Sequence, residues 1–327
     1  MTAALDVVAI GDAIVDVIAT ATDEFLAEHD LAKGSMRLLD PEQGQRLYAA
    51  MGPAREISGG SAANSMAGLA ALGLDVGFVG QIANDQLGAI FAHDMRALGI
   101  RFETPAIAPP PPTGVCLILV TPDAQRTMST SPGASYELTP KALDPELIRA
   151  ASVTFLEGYL WGPEQPRAAM LEAARIARAA GQTVAFTLSE SLCLGDRREG
   201  VLGMIEAGLV DMLFGNEHEM RHLTGCGDLN DCIAALTQKV STLVITRGTD
   251  GSLAVSGDER ADASAAPVER VIDTTGAGDL FAAGFLAAHC RGRELKACLD
   301  AGALAAAEVI SHFGARPEAD LRQLVAL

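Results

Sequence analysis

The sequence predicts an α/β fold, three layers deep, in which helices cover a mainly parallel central sheet and a small β-sheet is added as a lid. Three observations lead there. Continuous apolar, β-branched runs alternate with longer helical patterns, as expected for strands buried on both faces of a parallel sheet. Residues 101–133 break that alternation, passing from strand to strand with no helix between them. The chain has 327 residues, 49% of them hydrophobic and 20% charged. That is enough to bury a large core and is unlike a disordered composition.

Residues 5–10 (LDVVAI) form the first strand, which stops at Gly11. Residues 64–72 form a helix and 76–79 a strand; 86–98 form a helix with Phe91, Met95 and Leu98 on one side. Strands follow at 153–156, 183–188, 212–214 and 242–246, separated by helices near 164–180, 197–207 and 217–223. From Gly278 onward the pattern gives two or three alanine-rich helices. Within 101–133, a proline run at 109–112 precedes strands at 114–120 and 127–130, an antiparallel ribbon that short strands at 14–21 and 35–39 join. The reading is one unit over residues 1–327, with a core of about 1–13, 41–100 and 134–327 and a lid of about 14–40 and 101–133.

Lys and Arg number 24 against 42 Asp and Glu, a formal charge of −18. This argues against nucleic acid and anionic membranes as partners, since phosphate-rich surfaces are bound mostly by cations. The first basic residue is Lys33, and Asp6, Asp12 and Asp16 interrupt the only candidate leader, so no secretory signal is expected. No apolar run reaches about 18 residues, so no spanning helix is expected. The six cysteines, Cys116, Cys193, Cys226, Cys232, Cys290 and Cys298, include no Cys-x-x-Cys pair. They read as reduced thiols of a cytoplasmic protein.

Four segments carry candidate chemistry. Residues 273–279 read DTTGAGD and open an apolar helix. A glycine-rich turn at a helix start exposes unpaired N–H groups at the positive end of the dipole, an anion site. Asp279 at its mouth suits a general base that takes a hydroxyl proton while the amides of Gly276, Ala277 and Gly278 stabilise a moving phosphoryl group. Residues 57–64 read ISGGSAAN, where Gly59 and Gly60 allow close backbone approach and Asn64 suits a sugar diol; an ordinary helix start explains the segment equally well. Residues 11–16 read GDAIVD at the end of the first strand, placing Asp16 either to grip hydroxyls or as a solvated turn residue. Residues 218–228 read HEMRHLTGCGD, and His218, Glu219 and His222 match a zinc-hydrolase pattern. The methionine turn of the longer zinc pattern is missing, because no Met follows Met220.

ISGGSAANSMAGLAALG and DTTGAGDLFAAGFL, in that order, resemble the two signatures of the PfkB (ribokinase-type) carbohydrate kinases, with the likeness running from Gly11 to about Pro317. The resemblance implies a ribokinase-like core with a β lid and a cytoplasmic kinase that uses ATP and Mg²⁺. By position, Asp279 resembles the family's base and Gly276, Ala277 and Gly278 its anion hole. Asn216 and Glu219 match an Asn-x-x-Glu motif whose Glu organises Mg²⁺, usually through water, which gives Glu219 a role without zinc. Thr246, Gly248 and Gly251 resemble the loop that meets the nucleotide, and Asp16, Gly59, Gly60 and Asn64 the residues that hold ribose-type hydroxyls. Asp273 and Thr275 lie where many relatives bind a monovalent cation such as K⁺. The family's usual Asn near Ala303 is absent.

The segments GDAIVD and LFGNEHE, with Arg126 on a lid strand, look more like adenosine kinases than ribokinases. Arg126 matches an arginine that relatives fold over the transferring phosphate; it can also be an exposed hairpin charge. The expected acceptor is adenosine, with ribose, fructose or a keto-deoxy sugar acid as alternatives. Met36, Leu38, Cys116 and Leu117 either line a slot for a base or form the lid's own core. Some relatives dimerise through the lid sheet, whose open edge can pair with a second copy.

Overall fold

The computed structural model describes residues 5–123, 125–189 and 198–326; Cys193 lies outside them. In chain order the strands are β1 (Leu5–Ile10), β2 (Ile14–Thr20), β3 (Met36–Leu38), β4 (Arg55–Gly59), β5 (Val76–Val79), β6 (Gly114–Val120) and β7 (Arg126–Ser131). They continue as β8 (Ala151–Glu157), β9 (Thr183–Thr187), β10 (Met212–Asn216), β11 (Thr242–Thr246), β12 (Ser252–Ser256) and β13 (Glu259–Ala263).

The large sheet runs β13-β12-β11-β10-β9-β8-β1-β5. From β5 to β11 every neighbouring pair is parallel. These strands are apolar on both faces because separate apolar clusters cover each side, with Val7 and Phe155 in one and Val8 and Leu156 in the other. The antiparallel hairpin β12–β13 extends the sheet beyond β11, an addition the sequence reading did not include.

The small sheet runs β3-β7-β6-β2-β4. The ribbon β6–β7 is antiparallel as expected, and β2 and β3 join it. It also takes in β4, antiparallel to β2, although residues 55–59 fall within a segment read from the sequence as core. Adjacent side chains of a strand point to opposite faces. Val15, Val17, Leu117 and Leu119 therefore join the main core, together with Leu26 and Leu47 of the helices Asp23–Glu28 and Pro41–Ala50. Ile14, Cys116 and Ile118 form a separate cluster on the other face, with Ile18, Val120 and Met128 against it. Leu117 is thus not beside Cys116 in a shared slot. Leu98 also departs from expectation: Phe91 and Met95 are buried, but Leu98 caps its helix and is 45% exposed.

Three helices pack closely at glycines, one pair of them at backbone distance. A Cβ at Gly68 of helix Ser61–Ala71 would lie 2.6 Å from Leu280 Cδ1 and 2.8 Å from Ala283 Cβ of helix Ala277–Cys290. A Cβ at Gly284 would lie 2.3 Å from the Ala301 carbonyl oxygen of helix Leu295–Val309. Small residues run through these helices because larger ones would force them apart. Among the described residues, no helix is long and apolar enough to cross a membrane.

Gly284→Ala is expected to destabilise the fold by about 1–3 kcal/mol, the scale of overpacking, measured by urea denaturation. Alanine is the better helix former by about 0.5–1 kcal/mol, so a variant more stable than the parent would refute the close approach.

Candidate active site

The site lies at the carboxyl ends of the parallel strands, where open α/β sheets bind ligands. Here β1 ends, and residues 11–13 carry the chain across to the small sheet. Glu157, the last residue of β8, accepts hydrogen bonds from the Asp12 N–H and the Ala62 N–H, both at 2.6 Å. One fully buried carboxylate thus fixes both the crossing and the start of helix Ser61–Ala71. Gly60 precedes that helix with φ +96°, and a Cβ there would fall 2.1 Å from the Asp12 carbonyl oxygen. A Cβ at Gly59 would meet the Asp16 carboxylate at 2.5 Å. Glycine is required at Gly60, and a side chain at Gly59 would displace Asp16, so the segment is more than an ordinary helix start.

Helix Ala277–Cys290 begins at Gly276, φ +78°, with no side-chain cap. In its first turn the Ala277 N–H donates to the Thr274 carbonyl at 3.2 Å, and Gly278 has open space where a Cβ would stand. Asp279 is half-buried in that turn. Its Oδ1 accepts from Ser61 Oγ at 2.6 Å and its Oδ2 from Asn64 Nδ2 at 2.9 Å. Burial raises the Asp279 pKa above the ordinary carboxylate value, and the bonds from Ser61 and Asn64 oppose that shift.

Two clefts flank Asp279. The larger, about 270 Å³, is lined by Asn216, Glu219, Thr246, Gly276, Ala277, Gly278 and Asp279. Tyr159, Ser189, Phe214 and Phe281 line it too, and the sequence reading missed them. The smaller, about 100 Å³, contains Asp16 and Asn64, with Ile18, Ile57 and Phe313. Asp279 lines the first and bonds to Asn64 of the second. Gly248 (φ +57°) and Gly251 (φ +85°) shape the turn from β11 to β12 without lining the larger cleft.

Asn216 and Glu219 form a reciprocal cap. The Glu219 N–H donates to Asn216 Oδ1 at 2.9 Å, and Glu219 Oε2 accepts from the Asn216 N–H at 2.8 Å. Glu219 is buried, whereas His218 and His222 of the same helix are exposed and line neither cleft. Among the described residues, no group of three or more His, Cys, Asp or Glu stands ready to hold a metal. The zinc pattern is thus split between two helix faces.

Arg126 reaches from β7 to the start of the glycine-rich turn 273–279, where it donates to the Asp273 carboxylate and, at 2.6 Å, to Thr275 Oγ1. Arg316 was not singled out in the sequence, where nothing but its place in a short loop marks it. It donates to the carbonyls of Ser58 and Ala63 at 2.7 and 2.6 Å, fixing the ISGGSAAN backbone from below. Burial pushes its pKa down to about 10, against the pull of Asp16 and Asp279. Burial likewise lifts Asp16 to about 6, with Arg316 and Arg126 opposing.

The family model described as pfkB family carbohydrate kinase matches residues 43–321. The fold is similar to the crystal structure of adenosine kinase from Sinorhizobium meliloti, with 43% sequence identity, 98% coverage of each chain and a TM-score of 0.91. It is also similar to adenosine kinase from Schistosoma mansoni in complex with 2-fluoroadenosine: 25% identity, 96% of this chain and 97% of that one, TM-score 0.82. In sequence, it is 30% identical over 278 residues to 5-dehydro-2-deoxygluconokinase of Shouchella clausii, covering 82% of this chain and 85% of the relative.

Glu157 and Asp12 give the site a pH signature. Burial raises both carboxyl pKa values, and the Asp12 charge raises Glu157 further. The folded state therefore holds protons that the unfolded chain has released, and stability falls as pH rises from about 4 through the raised values. Urea unfolding at about pH 5 and about pH 8 is expected to show this fall, and Asp12→Asn to make it shallower. Equal falls in both proteins would refute the coupling.

Proposed function

The chain belongs to the PfkB family of carbohydrate kinases, and on that premise we propose that it transfers the γ-phosphoryl group of ATP to the 5′-hydroxyl of a ribosyl nucleoside, adenosine, giving AMP. The family makes it a phosphotransferase acting on a hydroxyl group. The observation that carries the finer reading is the position of Asp279, between a cleft lined by helix-end amides and a smaller one lined by Asp16 and Asn64.

In this reading Asp279 accepts the proton of the attacking hydroxyl, its raised pKa making it a better base than an exposed carboxylate. Asp16, Asn64 and the Gly59–Gly60 backbone hold the ribose. The amides at Gly276, Ala277 and Gly278 face the charge that develops on the moving group, and Arg126 adds positive charge at the edge of the same turn. Asn216, Glu219 and Thr246 face the nucleotide, and Gly248 and Gly251 shape the loop beside it. Mg²⁺ would sit on the nucleotide phosphates with Glu219 reaching it through water; such an ion neutralises phosphate charge. The buried Glu219 carboxylate on the cleft wall fits that task.

The apolar face of the small sheet supports a nucleoside over a bare sugar. Ile18 and Cys116 share the face of Asp16, and Phe313, 51% exposed, lies across the smaller cleft. Such surfaces suit the ring of a base. A sugar acid is the second reading, favoured by Arg55 in the same cleft and by the 5-dehydro-2-deoxygluconokinase relative.

ADP release measured across nucleosides and sugars is expected to be fastest with adenosine, and good turnover of a hexose or sugar acid without adenosine turnover would refute the acceptor. Asp279→Asn is expected to lose roughly 10²-fold or more in kcat while nucleotide binding, read by calorimetry, persists. Near-normal turnover in that variant would remove Asp279 as the base.

A further inference from the structure

The Asp273–Thr275 corner is already filled by a charge from the chain itself. Asp273 begins the turn that ends in the anion site, and its side chain is 2% exposed. A buried carboxylate needs a counter-charge. Here Oδ1 accepts the Thr275 N–H at 3.0 Å, and Oδ2 accepts the Gly314 N–H at 2.8 Å together with the Arg126 guanidinium. The Thr275 hydroxyl accepts from the same arginine nitrogen. Burial works against the carboxylate, but these donors outweigh it and hold its pKa below the ordinary value. A K⁺ ion would have to share these oxygens with a guanidinium of like charge, so the residues do not fit a free cation.

We propose that Arg126 is a tethered cation that takes the place of a monovalent ion beside Asp273 and Thr275, so that the protein is indifferent to K⁺. The arginine comes from the small sheet and the acid from the catalytic turn, so this pair also fixes the lid strand to the turn. The inference rests on the family reading for the position of the corner and does not depend on which acceptor is used.

The test is thermal unfolding of the full chain in KCl or tetramethylammonium chloride at equal ionic strength. The parent protein is expected to melt at the same temperature in both salts. Arg126→Gln, which leaves Asp273 unpaired, is expected to melt about 5 °C or more lower and to recover at least about half of that loss in K⁺ alone. Arg126→Lys, which keeps the charge, is expected to stay insensitive to K⁺. A K⁺-specific rise in the parent's Tm overturns the proposal. So does an Arg126→Gln variant that melts like the parent. If Arg126→Gln does not fold in either salt, the parent and Arg126→Lys still decide: a K⁺-specific rise in either one overturns the proposal. Melting uses no substrate, so a failure of the kinase reading is seen separately, as absent ADP release. Where turnover is measurable, the parent's rate is expected to be equal in K⁺ and tetramethylammonium salts.

Discussion

Close packing of three helices at glycines is the constraint on which the site depends. Gly68 lets the helix bearing Ser61 and Asn64 lie directly on the helix bearing Asp279, and Gly284 lets the third helix close behind. The resulting separation puts a hydroxyl and an amide within 2.6 and 2.9 Å of the two Asp279 oxygens. A larger side chain at Gly68 would act on those distances first, because they are set by the helix spacing. Packing and chemistry are therefore one design problem here, solved with glycine and alanine.

The site's electrostatics are local. In a chain of charge −18, a helix start without a side-chain cap and two half-buried arginines, Arg126 and Arg316, stand at the clefts. Around them lie Asp12, Asp16, Glu157 and Asp279, all with raised pKa values because burial penalises their charged forms. The overall acidity bears on what the surface repels and says little about what the cleft accepts.

Much of this was legible in the sequence. Continuous apolar runs are what a two-sided parallel sheet demands, so the order β1, β5, β8 to β11 could be read directly. The two glycine-rich segments could be read because glycine at Gly60 and Gly276 answers a positive φ that other residues resist. What could not be read depends on distant contacts. β4 is five residues whose pairing with β2 leaves no local pattern. Leu117 was grouped with Cys116 because a strand with apolar residues on both faces gives no alternation to tell them apart. Arg316 and Glu157 act on backbone groups 95 to 258 positions away, and no spacing rule reaches that far. Arg126 was found, but its partner Asp273 is 147 residues distant, so the pairing was not.

The chain passes between the two sheets at residues 11–13, and Glu157 holds that passage and the start of helix Ser61–Ala71 on two oxygens of one carboxylate. Asp16 belongs to the small sheet, whereas Asn64 and Asp279 belong to the core. The residues that would grasp a substrate are therefore shared between two sheets, which Glu157, the Arg126–Asp273 pair, Arg316 and a common apolar core hold together. A shift of one sheet against the other would change the spacing of Asp16 from Asp279 while leaving the Asn64–Asp279 bond intact. The distance from Asp16 to Asp279 is thus a matter of how the two sheets are joined, and the Asn64–Asp279 bond a matter of how two helices pack.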